Sequence, residues 1–345
     1  MDNSSVTVFD PDGDVRLLVF DHPSDQSGDE AAQKTFLVSS KAMSLASDVW
    51  KAMFNGHFRE AQQPSGTNQQ REVSFPDDDA RALEILLNIA HMRYDLVPQK
   101  LSFSRLVQVT VATDKYDATK LLRPWYKAWM GDVIYLLTRP GHEEWLWIAW
   151  ELGQTETFKT LVSHLVRVTW VDKDGYLRNS ENKVLYPCAD SVRLPADIAE
   201  HIIAFQKRAT RRLCSTYYDL LEEYVSKALN SDTRCRNGDY SERVSCDAVA
   251  YGSLGFSLRK LKIPAEKNER RDHLAMCIPT LAQRVKEIHV EAHRHQGSRR
   301  CANFAVDTEI FAKASKILKE FEPPLLDMHH RHLDRQAEIL GAVTR

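Results

Sequence analysis

The sequence predicts an α+β protein: a small N-terminal sheet flanked by helices, followed by a mostly α-helical C-terminal region. Three observations carry this expectation. The segments that read as strands fall in the first 80 residues and around Asp174-Gly175. Apolar residues from Leu83 onward recur at helical spacing instead. Strands first and helices afterwards is the order of an α+β chain, not of alternating βαβ units.

The first run is "VRLLVF" (Val15 to Phe20), bounded by "PDGD" and "DHPSD". A polar insert follows, then "TFLVSS" from Thr35, so these two strands are expected to form a hairpin. Residues 1–11 are expected to be a flexible N-terminus. Lys41 to Ser47 reads as a short helix. Asp48 is placed to cap the next one, whose apolar face is Val49, Trp50, Met53 and Phe54. "REVSF" from Arg71 is a third strand, and Asp79 can cap a helix bearing Leu83, Leu86, Leu87 and Ala90. Helical patterns then run through "SFSRLVQVTVATDKY" and through Leu122, Trp125, Trp129, Val133 and Leu136.

Pro140-Gly141 breaks the chain. Beyond it, "EEWLWIAWEL" and "TFKTLVSHLVRV" read as a helical pair, and Asp174-Gly175 marks a small hairpin. Pro195 fits the first turn of a long helix reaching about Asn230. Further helices are expected over Cys246 to Leu261, from Asp307 or Thr308 to Leu318, and over "LLDMHHRHLDRQAEIL".

The totals exclude several classes. The 345 residues exceed one ordinary core and suit two or three domains. With 43% hydrophobic and 27% charged residues, the chain is neither wholly disordered nor a membrane protein. A net charge of -2 gives no general attraction to nucleic acid or anionic lipid. Lys207, Arg208, Arg211 and Arg212 read as a solvated helix face. No signal peptide or apolar run of membrane-spanning length is visible, so a cytoplasmic or nuclear location is expected, with the six cysteines reduced.

By Tyr116 the residues resemble a known family. Asp14-Val15 leading into a strand, "TFLVSSKAMSLAS", "VWKAMF", "REVSF", a Leu-rich helix and "ATDKYDATKL" occur in the order of a BTB/POZ domain. Residues 12–139 are assigned to it, and residues 140–345 to a helical C-terminal region. The start of that region (140–170) resembles a BACK extension by position, and 231–345 carries the histidines and cysteines. Ser39 and Ser40 stand where many members place His and Lys, and His91 stands near a usual Tyr. These departures, with the long loops at 21–34 and 61–71, resemble the fungal branch.

The resemblance implies protein partners, self-association among them, and a cullin-3 contact. Family members that recruit cullin-3 carry an apolar residue, any residue, then Glu, just after the Met-Phe helix. Here Met53-Phe54 is followed by Phe58-Arg59-Glu60. Phe58 is then an anchor for an apolar groove, Glu60 an acceptor at its rim, and Met53 a neighbouring contact. In the other reading Phe58 tucks onto its own domain and Glu60 is solvated. Trp50 and Phe54 read as core.

A second candidate site lies near the end. Cys235, Cys246, His289, His293, His295 and Cys301 are ligand types for structural zinc. His289 and His293 are spaced i, i+4, which on a helix puts both imidazoles on one face. The alternative is buried thiols beside a solvated His-rich helix end. Cys277 reads as a core thiol, and "HHRH" at 329–332 as a solvated surface.

No Gly-x-Ser-x-Gly elbow, phosphate loop or His-Glu-x-x-His occurs, and glycines number only 13. The expected function is therefore an interaction protein: a ubiquitin-ligase adaptor, or a scaffold or transcription co-regulator. An enzyme hidden in the helical half is the remaining alternative.

Overall fold

The computed structural model describes residues 6–21, 32–55, 71–187, 192–195, 197–264, 275–292, 301–320 and 325–341. Its first sheet is built as the β-branched runs predict. β1 (Val6–Val8), β2 (Val15–Asp21), β3 (Ala32–Val38) and β4 (Arg71–Phe75) lie in the order β1-β3-β2-β4. β2 and β3 form the expected antiparallel hairpin, in register from Val15–Val38 to Asp21–Ala32. Alternation sets the faces: Val15, Leu17 and Val19 are fully buried, while Arg16 and Leu18 between them are half-buried. Residues 6–8 correct the expectation of a flexible start. The Val-Thr-Val alternation suits an edge strand, and it pairs parallel with β3 from Val6–Thr35 to Val8–Leu37.

β4 runs parallel to β2 on the side away from β3, so the connection between β3 and β4 passes across β2. α1 (Ser40–Ala46) and α2 (Asp48–Asn55) lie in it. Asp14 fixes the start of α1, accepting the Ser40 N–H at 2.7 Å and the Ser40 hydroxyl at 2.6 Å. Ser47, not Asp48, caps α2: its Oγ accepts the Trp50 N–H at 3.0 Å and its hydroxyl donates to the Tyr116 carbonyl. Trp50 and Phe54 are core, as expected, together with Leu83, Leu86 and Leu87 of α3 (Ala80–Ala90). Each such side chain contributes about 1.5–3 kcal/mol by leaving water. Asp79 caps α3 as predicted, accepting the Ala82 N–H at 2.7 Å.

α4 (Phe103–Lys115) is one continuous helix despite its β-branched residues. At its end Tyr116 lies 5.1 Å from the Trp50 ring and donates its hydroxyl to buried Asp78 at 2.8 Å. The stripe expected from Leu122 to Leu136 is broken into 3-10 turns and α5 (Tyr126–Val133). α6 (Trp145–Glu151) is almost wholly buried.

The contacts divide the chain into two units: Met1–Phe158 with Leu326–Arg345, and Lys159–Leu325. This division differs from a break at Pro140-Gly141, because α6 and the end of the chain belong with the first unit. α7 (Thr155–Val168) leads into the second. There β5 (Trp170–Val171), β6 (Leu177–Arg178) and β7 (Val184–Tyr186) form a small antiparallel sheet, one strand more than the expected hairpin. α8 (Ile198–Leu229) begins after Pro195 rather than at it. α9 (Tyr240–Lys260) starts six residues before Cys246, where Asp239 and Glu242 form a reciprocal cap. α10 (Ile278–Lys286) and α11 (Val306–Lys319) complete the second unit.

The last helix, α12 (Asp327–Ile339), lies against α6 in the first unit. The "HHRH" run is not a solvated surface. His329 is fully buried, its Nδ1 accepting the Leu326 N–H at 3.1 Å, and His332 stacks on Trp150 with ring centres 3.7 Å apart. No helix among the described residues is long and apolar enough to cross a membrane.

Candidate metal centre

Three of the predicted ligands come together in the second unit. Cys235 sits in the connection between α8 and α9, Cys246 in the second turn of α9, and Cys301 just before the 3-10 turn Ala302–Ala305 that leads into α11. The Cys301 and Cys235 sulfurs are 3.3 Å apart, and those of Cys301 and Cys246 3.6 Å. All three lie within 4.8 Å of one another, are not joined in disulfides and are buried. Sulfurs bound at ~2.3 Å to one tetrahedral ion stand about 3.8 Å apart, so the trio is already nearly spaced for a shared cation.

The backbone around the thiols is fixed by Asp247. Its carboxylate accepts the Arg234 N–H at 2.6 Å and the Cys235 N–H at 3.0 Å, which shapes the Cys235 turn. Thr233 Oγ1 donates to the Cys235 carbonyl at 2.8 Å. The Arg234 side chain ties the turn to two helices, pairing with Glu223 of α8 and, at 2.8 Å, with Glu309 of α11. Asn303 closes the far side: its backbone N–H points at Cys301 Sγ and its amide N–H at Cys246 Sγ, each at 3.4 Å. The same amide donates to Asp247 Oδ1 at 2.8 Å, and its oxygen accepts the Tyr224 hydroxyl at 3.0 Å.

Burial pushes the Cys301 thiol up to about 12 and raises Cys235 as well. Left to themselves these groups stay protonated at neutral pH. A bound divalent cation reverses that preference by replacing the thiol protons.

The other predicted ligands fare differently. His289 lies beyond the end of α10, outside any helix. Its side chain is 72% exposed and its Nδ1 pairs with Asp307 at 2.8 Å. His293 and His295 lie outside the described residues, as do Phe58 and Glu60. Met53 is half-buried on α2. Cys277 is not a core thiol. It precedes α10, half-buried, 3.1 Å from the Thr280 hydroxyl.

Sequence reading missed Asp247 and Asn303. The Cys246-Asp247 adjacency was visible, but only the folded turn shows which amides the carboxylate holds. Along α8 and α9, among the described residues, run two open grooves of about 430 Å³ each, sharing Val225, Leu229 and Tyr251. Their lining is mainly apolar, and Leu229 is 81% exposed.

No family model matches the chain, and no curated protein matches it.

Proposed function

We propose that this chain is a protein-interaction protein, with a BTB/POZ-type first unit that engages partners and a helical second unit braced by zinc. The observation that carries the first part is the order of the sheet. An antiparallel hairpin, β2 and β3, is followed by the crossover bearing α1 and α2, then by β4 parallel to β2, then by α3 and α4. That succession supports the family resemblance of residues 12–139 without any single motif. The adaptor reading adds cullin-3 as partner through Phe58 and Glu60. The test is a pull-down of cullin-3 with the intact chain and with Phe58→Ala/Glu60→Ala. Recovery lost in the variant supports the adaptor. Equal recovery removes those two residues from the interface, and no recovery from either leaves the scaffold or co-regulator reading, which needs no ubiquitin transfer.

The zinc reading rests on three buried thiols within reach of one ion. Cys235, Cys246 and Cys301 supply three thiolates, a soft donor set suited to zinc. The ion ties together three segments that no β-ladder joins. Its loss is therefore expected to lower the melting temperature of the second unit. A thermal scan with and without a strong chelator reads this out, and an unchanged transition in a metal-loaded sample contradicts it.

A further inference from the structure

We propose that Asn303 is the residue that turns three packed thiols into a metal site, acting as a positioning residue that donates hydrogen bonds to the sulfurs. The proposal rests on the zinc reading above and goes beyond it by assigning a role to a side chain that binds no ion itself.

The geometry is specific. Asn303 is fully buried, and all three polar functions of its side chain and backbone N–H are committed. The Tyr224 hydroxyl donates to its oxygen, which fixes which way the amide faces. The amide nitrogen therefore points both at Asp247 Oδ1 and at Cys246 Sγ. The backbone N–H of the same residue points at Cys301 Sγ. A neutral thiol is a weak acceptor, whereas a thiolate is a strong one. Two buried N–H groups thus aim at two of the three sulfurs, one of them also capping the 3-10 turn, and this orients both sulfurs towards the space that the three cysteines share.

Asp247 completes the arrangement and is not a ligand. Its two oxygens already accept three N–H groups, from Arg234, Cys235 and Asn303. It holds Cys235 by its backbone and Asn303 by its side chain. One carboxylate and one amide thus register all three cysteines, although these come from segments 11 and 55 residues apart. Partners of this kind, which hold ligands without touching the ion, change metal affinity about 10–100-fold when removed.

The experiment uses the full chain, reduced and stripped of metal, titrated with Co²⁺ as a coloured probe and then with Zn²⁺. Wild type is expected to show a sulfur-to-cobalt charge-transfer band saturating at one equivalent, displaced by Zn²⁺. Asn303→Asp keeps the shape, removes the donors and adds a repelling charge. It is expected to bind about 10–100-fold more weakly. Its band is expected to move to longer wavelength, because sulfur lone pairs without N–H partners give up charge more easily. Tyr224→Phe keeps the apolar packing but frees the amide to turn, and a smaller change in the same two directions is expected. This milder variant keeps the test valid if Asn303→Asp does not fold. Unchanged affinity and an unchanged band in the folded variants overturn the role of Asn303 while the metal site stands. A wild-type chain that binds no Co²⁺ overturns the metal site itself, and the role of Asn303 with it.

Discussion

Gly153 and Ala337 meet so closely that a Cβ on Gly153 would lie 2.3 Å from the Ala337 backbone nitrogen. Gly153 also has φ +62°, a conformation that side chains resist. Both facts make this glycine the seat of α12 on the first unit. Gly153→Ala is expected to destabilise the first unit by more than the ~1 kcal/mol of backbone strain alone, and to expose α12 to limited proteolysis. A variant as protease-resistant as wild type would mean that α12 is held elsewhere.

Two residues away, Glu151 is fully buried, accepting a hydrogen bond from Thr119 and one from Gln336 of α12 at 3.3 Å. Burial lifts its carboxyl from the ordinary 4.5 to about 8, helped by Asp114 and Asp117 and opposed by the hydroxyls of Thr119 and Thr113. The folded chain thus holds this proton more tightly than the unfolded one. Stability linked to Glu151 is complete below about pH 4.5 and is lost as pH rises towards 8. Glu151→Gln cannot ionise, so its melting temperature should gain on wild type from pH 5 to pH 8.5. A gap that does not widen with pH removes Glu151 from the alkaline limb.

His332, on α12, acts with the opposite sign. Burial against Trp150, with Arg335 and His329 nearby, lowers it from 6.5 to about 4, against a backbone hydrogen bond with Trp150 that raises it. Its neutral form stabilises the fold fully above about pH 6.5, and that contribution is lost as pH falls towards 4. His332→Phe keeps a stacking ring without the charge. The variant is expected to flatten the acid limb of the stability profile between pH 6.5 and 4, and an unchanged limb there would contradict this.

Tyr116 links the core aromatics to the buried carboxylate of Asp78, which Lys115 also contacts at 2.8 Å. Tyr116→Phe keeps the ring stack on Trp50 and deletes one donor. The expected loss is about 1–3 kcal/mol in urea unfolding, the cost of a buried acceptor left short. Trp50→Ala leaves a cavity and should cost about 3–5 kcal/mol. If Tyr116→Phe is neutral, Lys115 alone satisfies Asp78.

The elements most legible in the sequence are those whose signal is local. The β2–β3 hairpin, the Asp79 cap and the core role of Trp50 and Phe54 follow from alternation, capping chemistry and helical spacing. β1 was missed because three residues carry little pattern and their partner lies about 29 positions on. The start of α9 was missed although Asp239-x-x-Glu242 is a visible capping signature. Cys235, Cys246 and Cys301 could be grouped by residue type, but His289 was grouped with them on a helix that ends before it. Glu151 and Gln336 are separated by 185 residues, a contact that no periodicity announces.

Metal content is the most direct test of the claim that three cysteines brace the second unit. The chain, purified under reducing conditions without added metal and analysed by mass spectrometry of the elements, should carry about one zinc, and Cys246→Ser should carry almost none. A folded wild-type chain with far less than one equivalent, which also fails to take up zinc on titration, would contradict it.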